Sequence, residues 1–254
     1  MYTTGSHTTL NLCEIYASIM GESTYAGWPG VIVRLAGCPL RCTWCDSAYA
    51  RERGEDVSLG DIIHRIEAHR LRLVLLTGGE PLAQPGSRYL ISALAKMGYQ
   101  VVIETGGGVS IQGVDPRACI VLDIKCPDSG MQDRQVRENL NWLKPEDEVK
   151  FVIASRKDYE WARGHLARTG IAEQHVVHFS PVECEETAAG GEAPAAAPAP
   201  PPGSTPASGP GRSGARPLGV TRRELAEWIL ADHLPVRLNL QLHVCIWGRG
   251  RRGV

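Results

Sequence analysis

The sequence predicts an α/β fold of barrel-like type, and three observations carry that expectation. Strand-like and helix-like runs alternate along most of the chain. The 254 residues are enough for one sizeable core and too few for a second large domain. Polar and glycine-rich signals stand at the ends of the strand-like runs, where a parallel sheet collects its functional residues: Thr77, Gly78, Gly79 and Glu80, then Glu104 and Thr105, then Asp123 and Lys125.

Each element follows from local pattern. Residues 10–19 (LNLCEIYASI) have the β-branched and aromatic mixture of a strand, and 31–37 (VIVRLAG) is an apolar run of strand length ending at Gly37. Residues 58–70 open with Ser58 as N-cap and repeat Leu59, Ile62, Ile63 and Ile66 at helical spacing. Residues 72–81 form a buried strand that breaks at paired glycines. A helix near 86–97, strands at 100–108, 118–127 and 148–155, a helix near 157–169 and a strand at 175–181 continue the alternation, which predicts a parallel sheet. The C-terminal stretch supplies a helix at 221–233 and a strand at 236–247, too little for a core of its own, so it returns to the first sheet. Residues 185–217, rich in Pro, Ala, Gly and Ser and without hydrophobic periodicity, are expected to be a disordered insertion within a single domain spanning 1–254.

Composition excludes several function classes. With 43% hydrophobic and 22% charged residues the chain reads as soluble and globular. It has no run of about 18 apolar residues to span a membrane. A net charge of -1, with only a short basic tail at RRGV, gives no footprint for nucleic acid or an anionic membrane. The N-terminus lacks a basic start, an apolar run and a cleavage site, so a cytoplasmic location is expected. Eight cysteines in such a chain favour metal over disulfides, and only Cys38, Cys42 and Cys45 cluster tightly. Cys13, Cys119, Cys126, Cys184 and Cys245 are taken as core or surface residues.

GCPLRCTWCDS carries the chemistry. Cys-x3-Cys-x2-Cys in one short loop can hold three irons of a [4Fe–4S] cube and leave the fourth open to a small chelating molecule. A structural zinc would want a fourth ligand, and the next Cys or His is the distant His64. TGGEP (77–81) follows a strand, and its glycines allow close backbone approach with amides facing an anion, although a Gly-Gly alone is as well a simple turn.

Together these motifs resemble the radical S-adenosylmethionine (SAM) superfamily, which implies a partial, modified TIM-type (β/α) barrel with SAM chelated at the open iron. Trp44 stands at the motif's aromatic position beside the adenine, with a plain loop hydrophobe as the alternative, and GGEP matches the segment that contacts the SAM amino group. More narrowly, ASIMGES (17–23), VRLAGCPLRCTWCDS (33–47), LTGGEPLAQ (76–84), VIETGGG (102–108), LDIKCPDSG (122–130), FSPV (179–182) and LPVRLNLQLHVCIWG (234–248) resemble the 7-carboxy-7-deazaguanine synthase (QueE) family, and the resemblance covers nearly everything outside 185–217.

That resemblance implies a lyase of queuosine and 7-deazapurine biosynthesis. It would convert 6-carboxy-5,6,7,8-tetrahydropterin to 7-carboxy-7-deazaguanine with loss of ammonia, using a [4Fe–4S] cluster, SAM and Mg²⁺, through a 5′-deoxyadenosyl radical that takes hydrogen from C6. No protein side chain is singled out as a strong base. Met20, Gly21 and Glu22 stand where the family has a pterin-contacting Gln-Gly-Glu, and Met20 lacks the amide, leaving its backbone as donor and acceptor. Arg34 matches an arginine that reaches the substrate carboxylate, a planar fork suited to that anion, or else it is a paired strand residue. Ser47 stands where the family places Mg²⁺, with Asp46 assisting, although Asp-Ser is also a common turn pair. Thr77 would contact substrate. Cys45, Asp46, Gly79, Glu104, Thr105, Asp123, Ile124 and Lys125 would contact SAM, with Gly106 replacing a family Asn and an Asp123–Lys125 salt bridge as the plain alternative. Gln241 and His243 lie on alternate positions of the expected last strand, and His243 fits either a substrate contact or a satisfied core histidine.

The family also implies a homodimer and a one-electron reductant such as flavodoxin. Two rival readings are a glycyl-radical activase, which shares cluster and fold, and a non-catalytic cysteine-rich metal or electron-transfer module.

Overall fold

The computed structural model describes residues 8–182, 219–248 and 251–253. The expected insertion and Cys184 lie outside the described residues. The elements run β1 (Thr9–Ile19), β2 (Pro29–Leu35), β3 (Glu55–Ser58), α1 (Leu59–Ala68), β4 (Leu73–Gly78), α2 (Gly86–Lys96), β5 (Gln100–Thr105), β6 (Cys119–Ile124), β7 (Glu148–Ile153), α3 (Arg156–Thr169), β8 (Val176–Pro181), α4 (Arg222–Ala231), β9 (Arg237–Leu238) and α5 (Leu242–Trp247). They build one nine-stranded open sheet in the order β3-β1-β2-β4-β5-β6-β7-β8-β9.

The expected α/β architecture holds, with three departures. From β2 to β9 each neighbouring pair is parallel, but β1 runs antiparallel to β2 and to β3. No helix separates β1 from β2, so residues 20–28 turn the chain straight back on itself. β3 was not foreseen: EDVS is a short polar edge strand with a single buried residue, Val57, and it lacks the apolar run that marks an inner strand. The expected strand at 236–247 breaks after Leu238, and LHVCIW forms α5. Its Val, Cys and Ile read as strand, yet β8 is the one strand beside β9. Asn239 N–H closes the pairing on Phe179 O at 2.9 Å, and beyond it Leu242 N–H donates to Gly21 O at 3.0 Å, turning the chain toward the 20–28 turn. Gln241 and His243 therefore do not share a strand face: Gln241 is the N-cap of α5 and His243 lies in its first turn.

Strand periodicity sorts the side chains onto two faces. Val31, Val33 and Leu35 of β2, Val74 and Leu76 of β4, Val101 and Ile103 of β5, and Phe151 and Ile153 of β7 join the main core together with Ile62 and Ile66 of α1, Leu90, Ile91 and Leu94 of α2, and Leu225 of α4. Ser58 caps α1 as expected, accepting from Asp61 N, and Thr221 and Glu224 form a capping box on α4. The intervening residues face away from these helices. There Met20, Ile32, Leu73, Val102, Cys119 and Val121 form a second, smaller apolar cluster containing no helical residue. Further along β2, β4, β5 and β6 the alternation brings Arg34, Thr77, Glu104 and Asp123, and Lys150 of β7 joins them in register, so a polar layer lies above an apolar floor. Cross-strand register confirms the layer: Arg34 pairs with Thr77, and Asp123 with Lys150.

Candidate active site

The cysteine loop leaves β2 at Gly37, whose φ of +89° is a left-handed conformation suited to glycine. Two hydrogen bonds knit it to the TGGEP turn: Gly79 N–H donates to Leu35 O at 2.9 Å and Glu80 N–H to Gly37 O at 2.8 Å. Both glycines of that turn are required. A Cβ on Gly78 would lie 2.1 Å from Leu35 O, and one on Gly79 would lie 2.1 Å from Gly37 O and 2.9 Å from Cys38 Cβ. The two motifs thus fold against each other. Cys38, Cys42 and Cys45 are free thiols, partly exposed, and burial pushes the Cys38 and Cys42 thiols above their ordinary range.

Beside this loop Arg34 is held on three sides. Its Nε donates to Glu14 Oε1 at 2.8 Å, one terminal nitrogen to Ser47 Oγ at 3.3 Å and the other to Tyr16 OH at 3.3 Å. Tyr49 OH steadies the same Glu14 oxygen at 2.7 Å. Ser47 Oγ donates to Asp46 Oδ1 at 2.9 Å, and Asp46 also accepts from Gln241 at 3.3 Å. Gln241 bridges onward to Glu22 Oε1 at 2.7 Å. Glu22 in turn binds Lys150 Nζ at 2.6 Å and Asn239 Nδ2 at 3.3 Å. Burial alone would raise the Glu22 pKa, but the Lys150 ammonium, aided by Gln241, overcomes it and holds the carboxyl at about 2.

Of the expected substrate residues, Glu22, Arg34 and Thr77 come together in this polar layer. Thr77 Oγ1 donates to Glu104 Oε2 at 3.4 Å, and Lys150 Nζ lies 3.6 Å from Glu104 Oε1, so Glu104 belongs with them. Burial pushes the Glu104 pKa up. His243 packs on Gly21 so tightly that a Cβ there would lie 2.3 Å from its Nδ1, which explains the glycine. Met20 is placed differently. It is 2% exposed in the apolar floor, its N–H donates to Trp28 O at 2.8 Å and its O accepts from Gly27 N at 2.9 Å, so the backbone donor and acceptor expected to serve in place of an amide are already engaged.

The strand ends expected to meet SAM form a second group. Lys125 Nζ pairs with Asp123 Oδ2 at 2.6 Å, while Asp123 Oδ1 is buried with no protein partner. Ile124 points its side chain into the helix-side core and presents only backbone. Thr105 is buried and spends its hydroxyl on Glu80, at 2.8 Å, accepting also from Gly107 N at 3.1 Å. Trp44 is half-buried in the cysteine loop. Lys150, Asn239, Glu14 and Tyr16 escaped the sequence reading. A lysine interrupting the apolar run EVKFVI was a usable signal, because a charge in a buried strand needs a partner. A cavity of about 400 Å³ lined by Cys13, Glu55, Arg65 and His69 lies at the β1–β3 edge and contains none of the expected site residues.

Comparison with known proteins decides the family. Residues 32–119 match the Radical SAM superfamily. The chain is 39% identical to a 7-carboxy-7-deazaguanine synthase of Chlorobaculum tepidum over 96% of its length and 97% of the relative's. The chain belongs to the 7-carboxy-7-deazaguanine synthase family. A second member, from Koribacter versatilis, is 37% identical over 96% of the chain and all of the relative. Among solved structures, QueE from Escherichia coli shares the fold with a TM-score of 0.58 at 23% identity, covering 68% of this chain and 84% of that one. Neither the activase nor the non-catalytic module is favoured by these relatives.

As a member of this radical SAM family the chain uses a [4Fe–4S] cluster and SAM, and its residues fit both. Among the described residues no three His, Cys, Asp or Glu are arranged for a single ion. Cys38, Cys42 and Cys45, three free and partly exposed thiols in one loop, are the donor set that a cube with one open iron asks for. The unpartnered Asp123 Oδ1 is a buried acceptor facing no protein donor, as a site for a ligand's ammonium or hydroxyl requires.

Proposed function

We propose that the protein converts 6-carboxy-5,6,7,8-tetrahydropterin to 7-carboxy-7-deazaguanine, releasing ammonia, in queuosine and 7-deazapurine biosynthesis. The observation that carries this is the convergence, beside the cysteine triad on the sheet face opposite α1, α2 and α4, of Arg34 with the acceptors Glu22 and Glu104. A carboxylate and a face of ring N–H donors on one small molecule match that pattern of charge.

Cys38, Cys42 and Cys45 would hold the cluster, and Gly79, Asp123, Lys125 and the Ile124 backbone would hold SAM, with Trp44 beside the adenine. When bound, cluster and SAM supply one-electron chemistry that abstracts hydrogen from the substrate. The protein's share is orientation. Arg34 has five N–H groups, of which three are engaged, and the remainder would serve the substrate carboxylate. Glu22 accepts from the pterin's amino and amide N–H, Thr77 orients Glu104 toward the same edge, and His243 closes the side formed by Gly21. Met20 acts through the apolar floor beneath the ring. Thr105 serves as a strut, fixing Glu80 and hence the TGGEP turn.

Ser47 and Asp46 suit Mg²⁺: two hard oxygens on adjacent residues are sufficient for a cation that keeps much of its water. The ion would template substrate oxygens next to Arg34. The 1–254 chain is one domain in this reading, with 185–217 inserted between residues that hydrogen-bond each other, Val220 N–H to Val182 O at 2.9 Å. A homodimer, a one-electron reductant such as flavodoxin and a cytoplasmic location accompany it. Among the described residues no helix is long and apolar enough to cross a membrane.

Anaerobic incubation of the reconstituted enzyme with carboxypterin, SAM, Mg²⁺ and a reductant tests the proposal. Formation of 7-carboxy-7-deazaguanine and ammonia is expected, and their absence with cluster and SAM both bound would overturn it.

A further inference from the structure

Lys150 has no place in any motif, yet it occupies the middle of the polar layer. It is 8% exposed, on the inner strand β7, and its ammonium sits between two carboxylates from distant parts of the chain. Nζ donates to Glu22 Oε2 at 2.6 Å and stands 3.6 Å from Glu104 Oε1. Glu22 comes from the turn between β1 and β2, and Glu104 from the end of β5. Two carboxylates this close repel, and without a cation the cheapest relief is for them to share a proton. One would then become a hydroxyl donor. The remaining neighbours do not replace the bridging cation: Gln241 and Asn239 bond Glu22 but carry no charge, Thr77 is the hydroxyl on Glu104, and Arg34 near Glu104 and His243 near Glu22 act only through space, Arg34 spending its bonds on Glu14, Ser47 and Tyr16.

We propose that Lys150 is a positioning and specificity residue: bridging Glu22 and Glu104, it keeps both carboxylates as pure acceptors toward the amino and amide N–H edge of a 2-amino-4-oxo heterocycle. The assignment rests on the pterin reading above. It goes further by stating why the site takes a donor edge and refuses an acceptor edge. A 2-oxo analogue of the carboxypterin would set its carbonyl against two anions, an unmatched contact.

The test compares binding of the carboxypterin and its 2-oxo analogue to the holoenzyme with SAM, by anaerobic calorimetry. Wild-type enzyme is expected to prefer the amino compound by at least about 10-fold. Lys150→Met should weaken the carboxypterin and bring the two ligands within about 3-fold, because a shared proton lets the site donate to the 2-oxo group. In turnover, KM should rise by about 10-fold or more while kcat changes less. Lys150→Arg should restore the preference. Lys150→Gln, close in length and uncharged, carries the same test should the Met variant fail to fold. A wild-type preference in either neutral variant, with iron content and SAM affinity intact, would overturn the assignment. Wild-type enzyme that makes no deazaguanine overturns the functional reading instead, and the Lys150 assignment with it.

Discussion

Replacing Arg34 separates a carboxylate-binding arginine from a merely structural one, because in the proposed site its guanidinium would serve both purposes. Its Nε–Glu14 pair at 2.8 Å is charge-assisted, with the two side chains 14% and 19% exposed. Arg34→Lys keeps a cation for Glu14 but cannot also reach Ser47, Tyr16 and a substrate carboxylate. Losing one two-pronged carboxylate contact costs about 2–3 kcal/mol in transition-state binding, so kcat/KM should fall about 30- to 150-fold. Stability should hardly change in Arg34→Lys. Arg34→Met leaves Glu14 with Tyr49 alone, and since the pair is partly wet the cost should be about 1–2 kcal/mol, less than for a fully buried pair. At about 2–4 °C per kcal/mol for a chain of this size, its melting temperature should drop by about 2–8 °C. Anaerobic steady-state kinetics, with calorimetry on the carboxypterin and on the analogue lacking the carboxylate, resolves the two roles. Arg34→Lys should weaken the carboxypterin and leave the decarboxylated analogue unchanged. Equal losses on both ligands, or carboxypterin kinetics within about 3-fold of wild type, would refute the assignment.

Gly79→Ala should fold poorly around its metal, because the new Cβ would collide with the Gly37 carbonyl and Cys38 rather than with a flexible side chain; iron content after reconstitution and SAM affinity should both drop, by about 10-fold for SAM. Ser47→Ala should raise the Mg²⁺ concentration needed for half-maximal activity while Ser47→Thr keeps it, and identical Mg²⁺ titrations for Ala and wild type would contradict the metal role. Glu148 is buried against His178 at 2.6 Å and accepts from Thr24, and although burial opposes it, these hydrogen bonds hold its pKa below the ordinary carboxylate range. A depressed carboxylate contributes stability above its unfolded pKa and loses it as pH falls through the folded value. Glu148→Gln should therefore melt several degrees lower at pH 7, by about 2 kcal/mol, with the gap closing below about pH 4. Replacing 185–217 by a few Gly and Ser residues should leave kcat/KM within about 2-fold, because Val182 and Val220 already bond each other; a large loss would assign that segment a role.

What the sequence made legible was local. The cysteine triad and the Ser58 cap act within a few residues of themselves, so their spacing alone states their geometry, whereas the paired glycines show as a local break and owe their necessity to Leu35 and Gly37 of a distant strand end. LHVCIW was misread for a physical reason. Six residues of β-branched and apolar character suit a strand, but a strand needs a neighbour to bond, and the contact of Leu242 N–H with Gly21 O commits this segment to a helical turn instead. EDVS was missed from the opposite direction, because an edge strand has no need of apolar residues on both faces.

The polar layer was legible only in halves. Arg34, Thr77, Glu104 and Asp123 each stand at or near a strand end, where a parallel sheet places its chemistry. Their common face follows from strand alternation once the register is known, and register is a long-range property that no local window holds. Lys150 and Asn239 are the residues that register adds. Their contacts to Glu22 span separations of 128 and 217 residues along the chain. Lys150 ties Glu22 to Glu104 and Asn239 ties it to Ser180 of β8, while a second run of hydrogen bonds leads from Glu22 through Gln241, Asp46 and Ser47 to Arg34. A break anywhere along that run should therefore be felt at both ends of the proposed substrate site, the carboxylate end at Arg34 and the N–H end at Glu22, and simple additivity between Arg34 and Glu22 substitutions should fail.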